Sequence, residues 1–574
     1  MTAESRGWAV TFAWLALLAP ICALRPSSGV EDGFQSLETA GNGSKPDRGN
    51  AIPWHRQKYK KPKITLCPEQ PLVMAALRSI GHGPGRVALR RGQEKDVCKW
   101  KKVGCHGCRV EALFLKMANV SGSIEELAVI TGLKRLNLLY TGITGDLRML
   151  RNLTELRSLF LGGTKVTGDL AALTSPAFEC LDLHGTNVTG DLRSLSHLRR
   201  MTRLRLHRTR VTGDLHALQE FKMLEELRLT EAGAVVGHLA DLGKLTRLQT
   251  ATLRGTQVSG NLKDLSKLTD LVSLDLRGLQ ISGRVGDLNG LAKFERLQLD
   301  HPQVSGDIGD LKRLKLLKEM HLRGTNVTGD IQVVRKLPHL VRADLSRTRV
   351  TGRLRKSWQG CCQHLRELVL ADSQVSWLPQ GEDARQLRKY DKRQNLLPAL
   401  ALLDVSRCPL NGLLRDFLEP LAILAHVGRI GAAGCNLSGE LPDMGHIEKA
   451  EFSFFRFVFG WTSELSKSLQ MLDLGNNSIS SVEGLSARTY LNLASNGPVR
   501  LAPGVLQKAL SGGVVLNLRG SSLVDRSEPR RLGPKKIRPR RARCGVSGAL
   551  PTGELLRVPT RLGRRQHELQ EVRE

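Results

Sequence analysis

The chain has 574 residues, of which 41% are hydrophobic and only 4% aromatic, so a large core must be aliphatic and regular. The formal net charge is +31, but it is spread unevenly: Lys45 to Arg109 contains 16 basic and 4 acidic residues, and Asp525 to Glu574 contains 14 and 6. Most of the excess charge therefore belongs to the two ends, which argues against a uniformly basic, nucleic-acid-binding chain.

The first element is an apolar run behind Arg6, WAVTFAWLALLAPICAL, which ends near Cys22 and Ala23. This pattern predicts a cleaved secretory signal over residues 1–24. A membrane anchor is the alternative, although the run is at the short end of the about 20 residues that span a bilayer. We expect a disordered basic linker over 25–63. No later segment matches the apolar run in length, which predicts a secreted or cell-surface protein.

A five-residue motif recurs through the middle of the chain. VTGDL begins at Val166, Val188 and Val211, with near copies before and after them. From Gly122 to Gly352 the motif glycines are 22 to 24 residues apart, and the aligned windows read L-x-x-L-x-L-x-x-T-x-V-[TS]-G-[DNR]-L. This is a leucine-rich repeat pattern. It predicts an α/β solenoid with a parallel sheet on its concave face, short helical or irregular segments on its convex face, and regular repeats over 110–356.

Each part of the repeat has a predicted mechanical role. Alternation at Leu159, Phe160 and Leu161 puts the two leucines inside and the middle residue outside a short strand. The threonine after the strand, such as Thr164, is placed to hydrogen-bond turn backbone. The motif glycine supplies a positive φ or a close approach, and the aspartate after it is placed to cap a short helical segment.

Regularity decreases after Gly352. A polar excursion, SWLPQGEDARQLRKYDKRQNLLP, interrupts the strands, and we interpret residues 357–523 as irregular repeats with an insertion. The late repeats place Asn477 and Asn496 where the earlier repeats have threonine. For the basic, proline-broken segment 524–574 we predict a disordered, solvated tail, with an arm for a polyanion or an anionic surface as the alternative.

A cysteine pattern precedes the first repeat. It reads DVCKWKKVGCHGC from Asp96 and follows MAALRSI from Met74. With LSGELP at Leu437, this segment resembles the N-terminal cap and the repeats of plant receptor-type leucine-rich repeat proteins. The resemblance implies a cap over 64–109 with a Cys98–Cys105 disulfide, and it leaves Cys67 and Cys108 as a second pair. Unlike receptor kinases, this sequence continues into neither a transmembrane helix nor a kinase domain.

Chemical motifs argue against catalysis. The sequence has no G-x-x-x-x-G-K-[ST], no H-E-x-x-H and no kinase motif set, so we predict a non-enzymatic protein without a cofactor. Zinc at Cys98, Cys105, His106 and Cys108 is disfavoured against disulfides, because the chain shows one C-x-x-C and a secretory signal. Three further cysteines fall on repeat positions and are expected to be small buried residues: Cys180, Cys408 and Cys435. Cys361 and Cys362 have no assigned role.

Seven sequons predict N-glycosylation if the chain is exported: Asn42, Asn119, Asn152, Asn187, Asn326, Asn436 and Asn476. Several arise simply because the repeat reads N-V-T-G. Their position beside the strand predicts glycans at the edge of the sheet.

Outward strand residues line up as ladders over many repeats, which is where solenoids bind ligands. The candidate ligand-binding residues are Tyr140, Phe160, His184, Arg205, His207, Arg228, Arg254, Arg277, His321 and Arg323. Arginine and acidic residues are mixed along this face, which disfavours a polyanion groove and favours a protein, peptide or glycan partner. The alternatives are a solvated sheet without a ligand, an intracellular scaffold whose basic tail contacts nucleic acid or an anionic membrane surface, and a structural protein of an extracellular matrix.

Overall fold

The computed structural model describes residues 70–81, 96–353, 362–376, 399–418, 427–441, 469–485 and 489–524. The predicted signal segment, the linker over 25–63, nearly all of the basic tail, Asn42, Cys67 and Cys361 lie outside the described residues. The chain divides into two compact units, Met1–Asn187 and Val188–Glu574. In each unit one coil contributes a strand to a first ladder and a strand to a second ladder.

The N-terminal unit begins with the α-helix Gln70–Ser79, which starts four residues before the predicted Met74, and the 3-10 helix Val97–Lys99. The Cys98–Cys105 disulfide closes this cap with a Cα–Cα distance of 5.7 Å. The first-ladder strands are Val103–His106, Arg109–Phe114, Arg135–Asn137, Ser158–Phe160 and Cys180–Asp182; the first two are antiparallel and the others pair in parallel. The second ladder contains Ser121–Ser123, Gly142–Asp146 and Lys165–Asp169, each followed by a 3-10 helix: Ile124–Leu127, Leu147–Leu150 and Leu170–Ala172.

The C-terminal unit repeats the same coil in parallel register. Its first-ladder strands are Arg203–Arg205, Glu226–Arg228, Thr250–Thr252, Ser273–Asp275, Arg296–Gln298, Glu319–His321, Arg342–Asp344, Glu367–Val369, Leu402–Asp404, Arg429–Gly431, Met471–Asp473, Tyr490–Asn492 and Val515–Asn517. Its second-ladder strands are Asn187–Asp191, Arg210–Asp214, Ala234–His238, Gln257–Asn261, Gln280–Arg284, Val304–Asp307, Asn326–Thr328, Thr351–Arg353, Gln374–Ser376, Gly412–Leu413, Leu437–Leu441, Ser478–Val482, Gly497–Leu501 and Ser521–Leu523.

Short helices follow the second-ladder strands of this unit. The 3-10 helices are Leu192–Leu195, Leu215–Leu218, Leu262–Leu265, Val285–Leu288, Ile308–Arg313 and Ile331–Lys336, and the α-helices are Leu239–Leu242, Leu414–Leu418 and Pro503–Leu510. The predicted leucine-rich repeat solenoid architecture, with its parallel strands and short helical segments, is therefore confirmed.

The predicted roles within a repeat are confirmed at the atomic level. Leu159 and Leu161 are fully buried, whereas Phe160 between them is half-buried. The Thr164 hydroxyl donates to the Leu161 carbonyl at 2.6 Å, which holds the turn after the strand. The Asp169 carboxylate accepts from the Ala171 backbone N–H at 2.8 Å and so caps the 3-10 helix. Each coil is thus held together by buried leucines, by the threonine hydrogen bond in the turn and by the aspartate that caps the 3-10 helix.

The glycine and the aspartate of the motif depend on each other across neighbouring repeats. Gly213 has φ +115°, and a Cβ added there would lie 2.6 Å from the Asp191 carboxylate and 2.8 Å from the Leu192 nitrogen. A Cβ added at Gly237 would likewise lie 2.9 Å from the carboxylate of Asp214. The glycine of one repeat therefore leaves room for the aspartate cap of the repeat before it. This dependence explains why the chain repeats both residues together.

The cysteines follow the prediction only in part. Cys180, Cys408 and Cys435 are all buried, as expected for small residues at repeat positions. The interpretation of Cys180 as merely a buried residue was wrong, because it is disulfide-bonded, and so is Cys108. Cys362, Cys408 and Cys435 are buried thiols that take part in no disulfide, and burial raises the pKa of Cys435 to about 12. The cap pairing of Cys67 with Cys108 remains a prediction.

Candidate functional site

The candidate ligand-binding residues lie on the exposed side of the first ladder, in two sets. Tyr140, Phe160 and His184 belong to the N-terminal unit, and Arg205, His207, Arg228, Arg254, Arg277, His321 and Arg323 belong to the C-terminal unit. Tyr140 and Arg323 are exposed, and the others are half-buried. Half-buried polar residues on a rigid sheet lose little conformational freedom on binding, which favours recognition.

In the N-terminal unit a tyrosine, a histidine and an aspartate form one hydrogen-bonded group. Asp182 is only 1% exposed, and its Oδ1 lies 2.5 Å from Nδ1 of His184. Nε2 of His184 lies 3.0 Å from the Tyr140 hydroxyl, and the two rings meet edge to face with centroids 5.4 Å apart. The buried carboxylate orients the imidazole, which in turn orients the tyrosine ring. Tyr140 as a whole residue stays 49% exposed and is therefore accessible to a partner.

Two glycines make this arrangement sterically feasible. A Cβ on Gly162 would lie 2.1 Å from the His184 ring, and one on Gly163 would lie 2.5 Å from the Tyr140 ring. Tyr140 itself has φ +55°, a conformation that favours glycine. A strained, exposed aromatic residue held by neighbours is a common property of binding surfaces.

In the C-terminal unit three arginines surround one buried carboxylate. Arg205 donates to Glu226 through two bonds, Nε to Oε1 at 3.0 Å and Nη2 to Oε2 at 2.7 Å. Nε of Arg228 lies 2.5 Å from Oε1 of Glu226, and Nε of Arg203 lies 4.0 Å from Oε2. We call Arg203, Arg205, Arg228 and Glu226 the arginine cluster. Its fork-like guanidinium groups are held in place before any ligand arrives.

The electrostatics of the arginine cluster reflect its excess positive charge. Burial alone would raise the pKa of Glu226, but Arg228, Arg205 and Arg203 together outweigh burial and lower it. Burial also lowers the pKa of Arg203; Arg205 and Arg228 repel its charge, while Glu226 and Glu225 oppose the shift. Three cations with two nearby acids leave surplus positive charge on a half-buried face. That environment suits the carboxylate, sulfate or phosphate of a ligand.

The remaining candidates of the C-terminal unit are arranged differently. Arg277 forms two bonds to Asp275, at 2.9 and 2.8 Å, and this hydrogen bonding raises the pKa of Arg277. Burial lowers the pKa of His321, with the charges of Arg277 and Arg342 in the same direction and Glu319 and Asp344 opposing it. Arg254, Arg323 and His207 are on the same ladder face but outside the arginine cluster.

Sequence reasoning missed several of the residues that matter here. Arg203 and Glu226 occupy the first position of their strands, whereas the candidates lie at the last strand position or just after the strand. Both positions face the same side because side chains alternate along a strand, so the R-x-R pattern of Arg203 and Arg205 was the available signal. Asp182 and the glycine pair at 162 and 163 were missed because their role depends on which rings meet.

The sequon asparagines of the described residues lie on the surface. Asn119, Asn152, Asn187, Asn326, Asn436 and Asn476 are all exposed, so a transferase could reach each of them in the folded chain. Across the described ranges, we find no helix with the length and apolarity needed to cross a bilayer, and no cluster of three metal-ligating side chains.

No protein-family model and no curated protein matches this chain. Solved structures do. The plant peptide hormone receptor RGFR1, in complex with RGF2, superposes with a TM-score of 0.52 at 21% identity, over 70% of this chain and 65% of the receptor chain. The Arabidopsis receptor kinase HAESA ectodomain, in complex with an IDA peptide hormone, gives 0.59 at 20% identity, over 79% and 78%.

This chain has the leucine-rich repeat fold of those receptor ectodomains. It spans just under two thirds of the RGFR1 chain and just over three quarters of the HAESA chain. At this level of identity the likeness concerns the fold.

Proposed function

We propose that this protein is a non-enzymatic recognition protein, secreted or at the cell surface, that binds a protein, peptide or glycan through the exposed face of the first ladder. The arginine cluster is the observation that carries the proposal. Its arginines are fixed by the buried carboxylate of Glu226, and they outnumber it. An acidic group of the ligand would be the natural counter-charge, because preorganised guanidinium groups bind carboxylate and sulfate in a fixed geometry.

Other observations support an extracellular ligand. The chain contains the Cys98–Cys105 disulfide, and disulfides persist mainly in oxidising compartments. The described sequon asparagines are exposed. The two receptor ectodomains with the same fold are complexes with peptide hormones, which makes an extended acidic peptide the first class to test.

The binding test uses the full chain secreted from eukaryotic cells. The immobilised protein is challenged with a displayed library of random peptides and with an array of defined glycans. We expect a saturable ligand whose affinity falls at least about tenfold in a variant in which all four residues of the arginine cluster are replaced by glutamine. Replacing Glu226 together with its three arginines avoids leaving a lone charge in a half-buried site, so the variant should keep its fold.

The matched control is Arg199→Gln with Arg200→Gln, two exposed arginines of the same unit that follow the 3-10 helix Leu192–Leu195. The control should bind as the parent does, and both variants should keep the thermal midpoint of the parent. Equal losses in the two variants, or a parent without any saturable ligand, would overturn the proposal.

The proposed compartment has its own test. Mass spectrometry of protein from its native cells should find a start near residue 24 and a glycan on Asn152. An unprocessed and unglycosylated chain would contradict a secreted protein and would direct attention to the intracellular alternative.

A further inference from the structure

A second charged surface lies away from the first ladder, where two successive coils end in basic residues. The 3-10 helices Ile308–Arg313 and Ile331–Lys336 each have two cations in their last turn: Lys312 and Arg313 in the first, Arg335 and Lys336 in the second. Lys315 follows the first helix. All five side chains are exposed. We call these five residues the basic face.

The two coils bring these cations side by side. Nζ of Lys315 donates to the backbone carbonyl of Lys336 at 3.0 Å, which joins one coil directly to the next. The first-ladder strands of the same coils, Glu319–His321 and Arg342–Asp344, pair in parallel. Strand pairing spaces successive coils by about 4.8 Å, so cations recur at that interval along the basic face.

The basic face differs from its neighbours in lacking acidic partners. Lys293 of the preceding coil pairs with Asp270 at 2.7 Å, and Lys318, beside the basic face, pairs with Glu295 of the preceding coil at 2.8 Å. No such ion pair joins any of the five residues of the basic face to another part of the described structure. Segment 331–341 contains no aspartate or glutamate, and segment 308–318 contains one, Asp310, in the first turn of its helix. A surface that was basic only for solubility would be expected to mix the two signs, as the preceding coils do.

We propose that the basic face binds a polyanionic polysaccharide, a linear glycan with regularly spaced carboxylate or sulfate groups. Clusters of lysine and arginine on a flat exposed surface suit such a chain because several weak charge contacts add along it. A nucleic acid is the other polyanion, and two observations disfavour it. Segments 308–318 and 331–341 contain no Phe, Tyr or Trp for base stacking, and the Cys98–Cys105 disulfide is typical of an oxidising compartment.

This site is independent of the proposed ligand face. It uses other residues on another side of the coil, and it would hold the protein on an acidic matrix while the first ladder remains accessible. Failure of one site therefore leaves the other untouched.

The test measures binding of the full chain to immobilised heparin and to polygalacturonate in 0.15 M salt, a concentration that screens isolated charges beyond about 8 Å. Neutral dextran and double-stranded DNA are the comparison surfaces. In the test variant the five residues of the basic face are replaced by glutamine. Because the basic ends of the chain also attract polyanions, the matched control replaces five other exposed cations of the same composition: Arg199, Arg200, Lys222, Lys263 and Lys267.

We expect the test variant to lose at least about tenfold in affinity for one of the two polysaccharides, and the control to stay within about twofold of the parent. A third variant, Lys312→Arg with Lys315→Arg and Lys336→Arg, keeps the charge and should keep the binding. Equal losses in test variant and control would overturn the proposal, because binding would then follow total charge. Tighter binding of DNA than of either polysaccharide would overturn the choice of ligand class, and loss of binding in the charge-keeping variant would show that charge is not the cause.

Discussion

The regular repeats and the late asparagine repeats of the C-terminal unit join neighbouring coils in different places. In a regular repeat the Thr209 hydroxyl bonds only within its own turn, to the Leu206 carbonyl at 2.6 Å. The link to the preceding coil is in the second ladder, where Gly213 leaves room for Asp191. In a late repeat, Asn477 bridges coils at the turn itself: its Oδ1 accepts from the Cys435 and Leu437 nitrogens, at 3.1 and 2.9 Å, and its Nδ2 donates to the Ala432 carbonyl at 2.9 Å.

This difference shows that the asparagine bridge of the late repeats replaces the glycine and aspartate pair of the regular repeats. The late strands Ser478–Val482 and Gly497–Leu501 read SISSV and GPVRL, without the glycine and aspartate pair of the regular motif. An asparagine amide carries its acceptor and its two donors on separate atoms and can reach two coils at once, whereas the shorter threonine side chain has a single hydroxyl and bonds within its own turn. Where the motif in the second ladder is lost, the turn supplies the connection between coils.

The largest expected effect is the loss of an asparagine bridge. Asn477→Ala removes bonds to three backbone groups of the preceding coil and leaves them buried, so we expect a loss of about 3 kcal/mol in the local free energy of opening. Native-state hydrogen exchange across residues 427–485 measures it. Gln470→Ala, an exposed neighbour, should change exchange little. Equal exchange in both variants would show that the bridge is not needed.

Substituting the motif glycine of a regular repeat should lower the local free energy of opening nearly as much. Gly213→Ala combines a φ of +115° with a Cβ 2.6 Å from Asp191, and we expect about 2 kcal/mol of local destabilisation. Gly278→Ala has φ +73° and nothing within 4 Å of its Cβ, so it reports the backbone conformation alone. The prediction fails if exchange rates in the two variants rise by the same amount.

The threonine turn should be the least important hydrogen bond of the comparison. Thr209→Val keeps the shape and removes one local bond, and the expected loss is about 1 kcal/mol. Hydrogen exchange should change only within that coil. A loss as large as that of Asn477→Ala would mean that threonine also contributes to the link between coils.

The smallest expected effect is a pH dependence of stability that His321 gives to the regular repeats and that the late repeats lack at the same ladder position. Burial lowers the pKa of His321, and the late repeats carry Asp473, Asn492 and Asn517 at its ladder position. Below about pH 6.5 the unfolded chain takes up a proton that folded His321 resists, so stability falls as pH falls through that value. His321→Gln should remove this component, by less than the loss in Thr209→Val. Exchange between pH 7.5 and 5.5 tests it, and an unchanged pH dependence would contradict it.

Much of this protein was determined by its sequence alone. The spacing of the motif glycines predicted the coil, the alternation at Leu159 and Leu161 predicted the buried side, and the aspartates predicted the helix caps. These features follow from local rules that recur in every repeat, so successive copies of the motif lead to the same prediction. The outward ladder positions were predictable for the same reason.

Only the tertiary structure decided which outward residues act together. Tyr140 and His184 are 44 residues apart and meet because the glycines at 162 and 163, in the coil between them, leave room for both rings. Arg205 and Arg228 belong to one site because Glu226 lies between them with its carboxylate buried. A ladder position fixes the side from which a residue projects, but reach, burial and neighbouring charge determine its partners. Those three quantities depend on side chains from other coils, and no single repeat contains them.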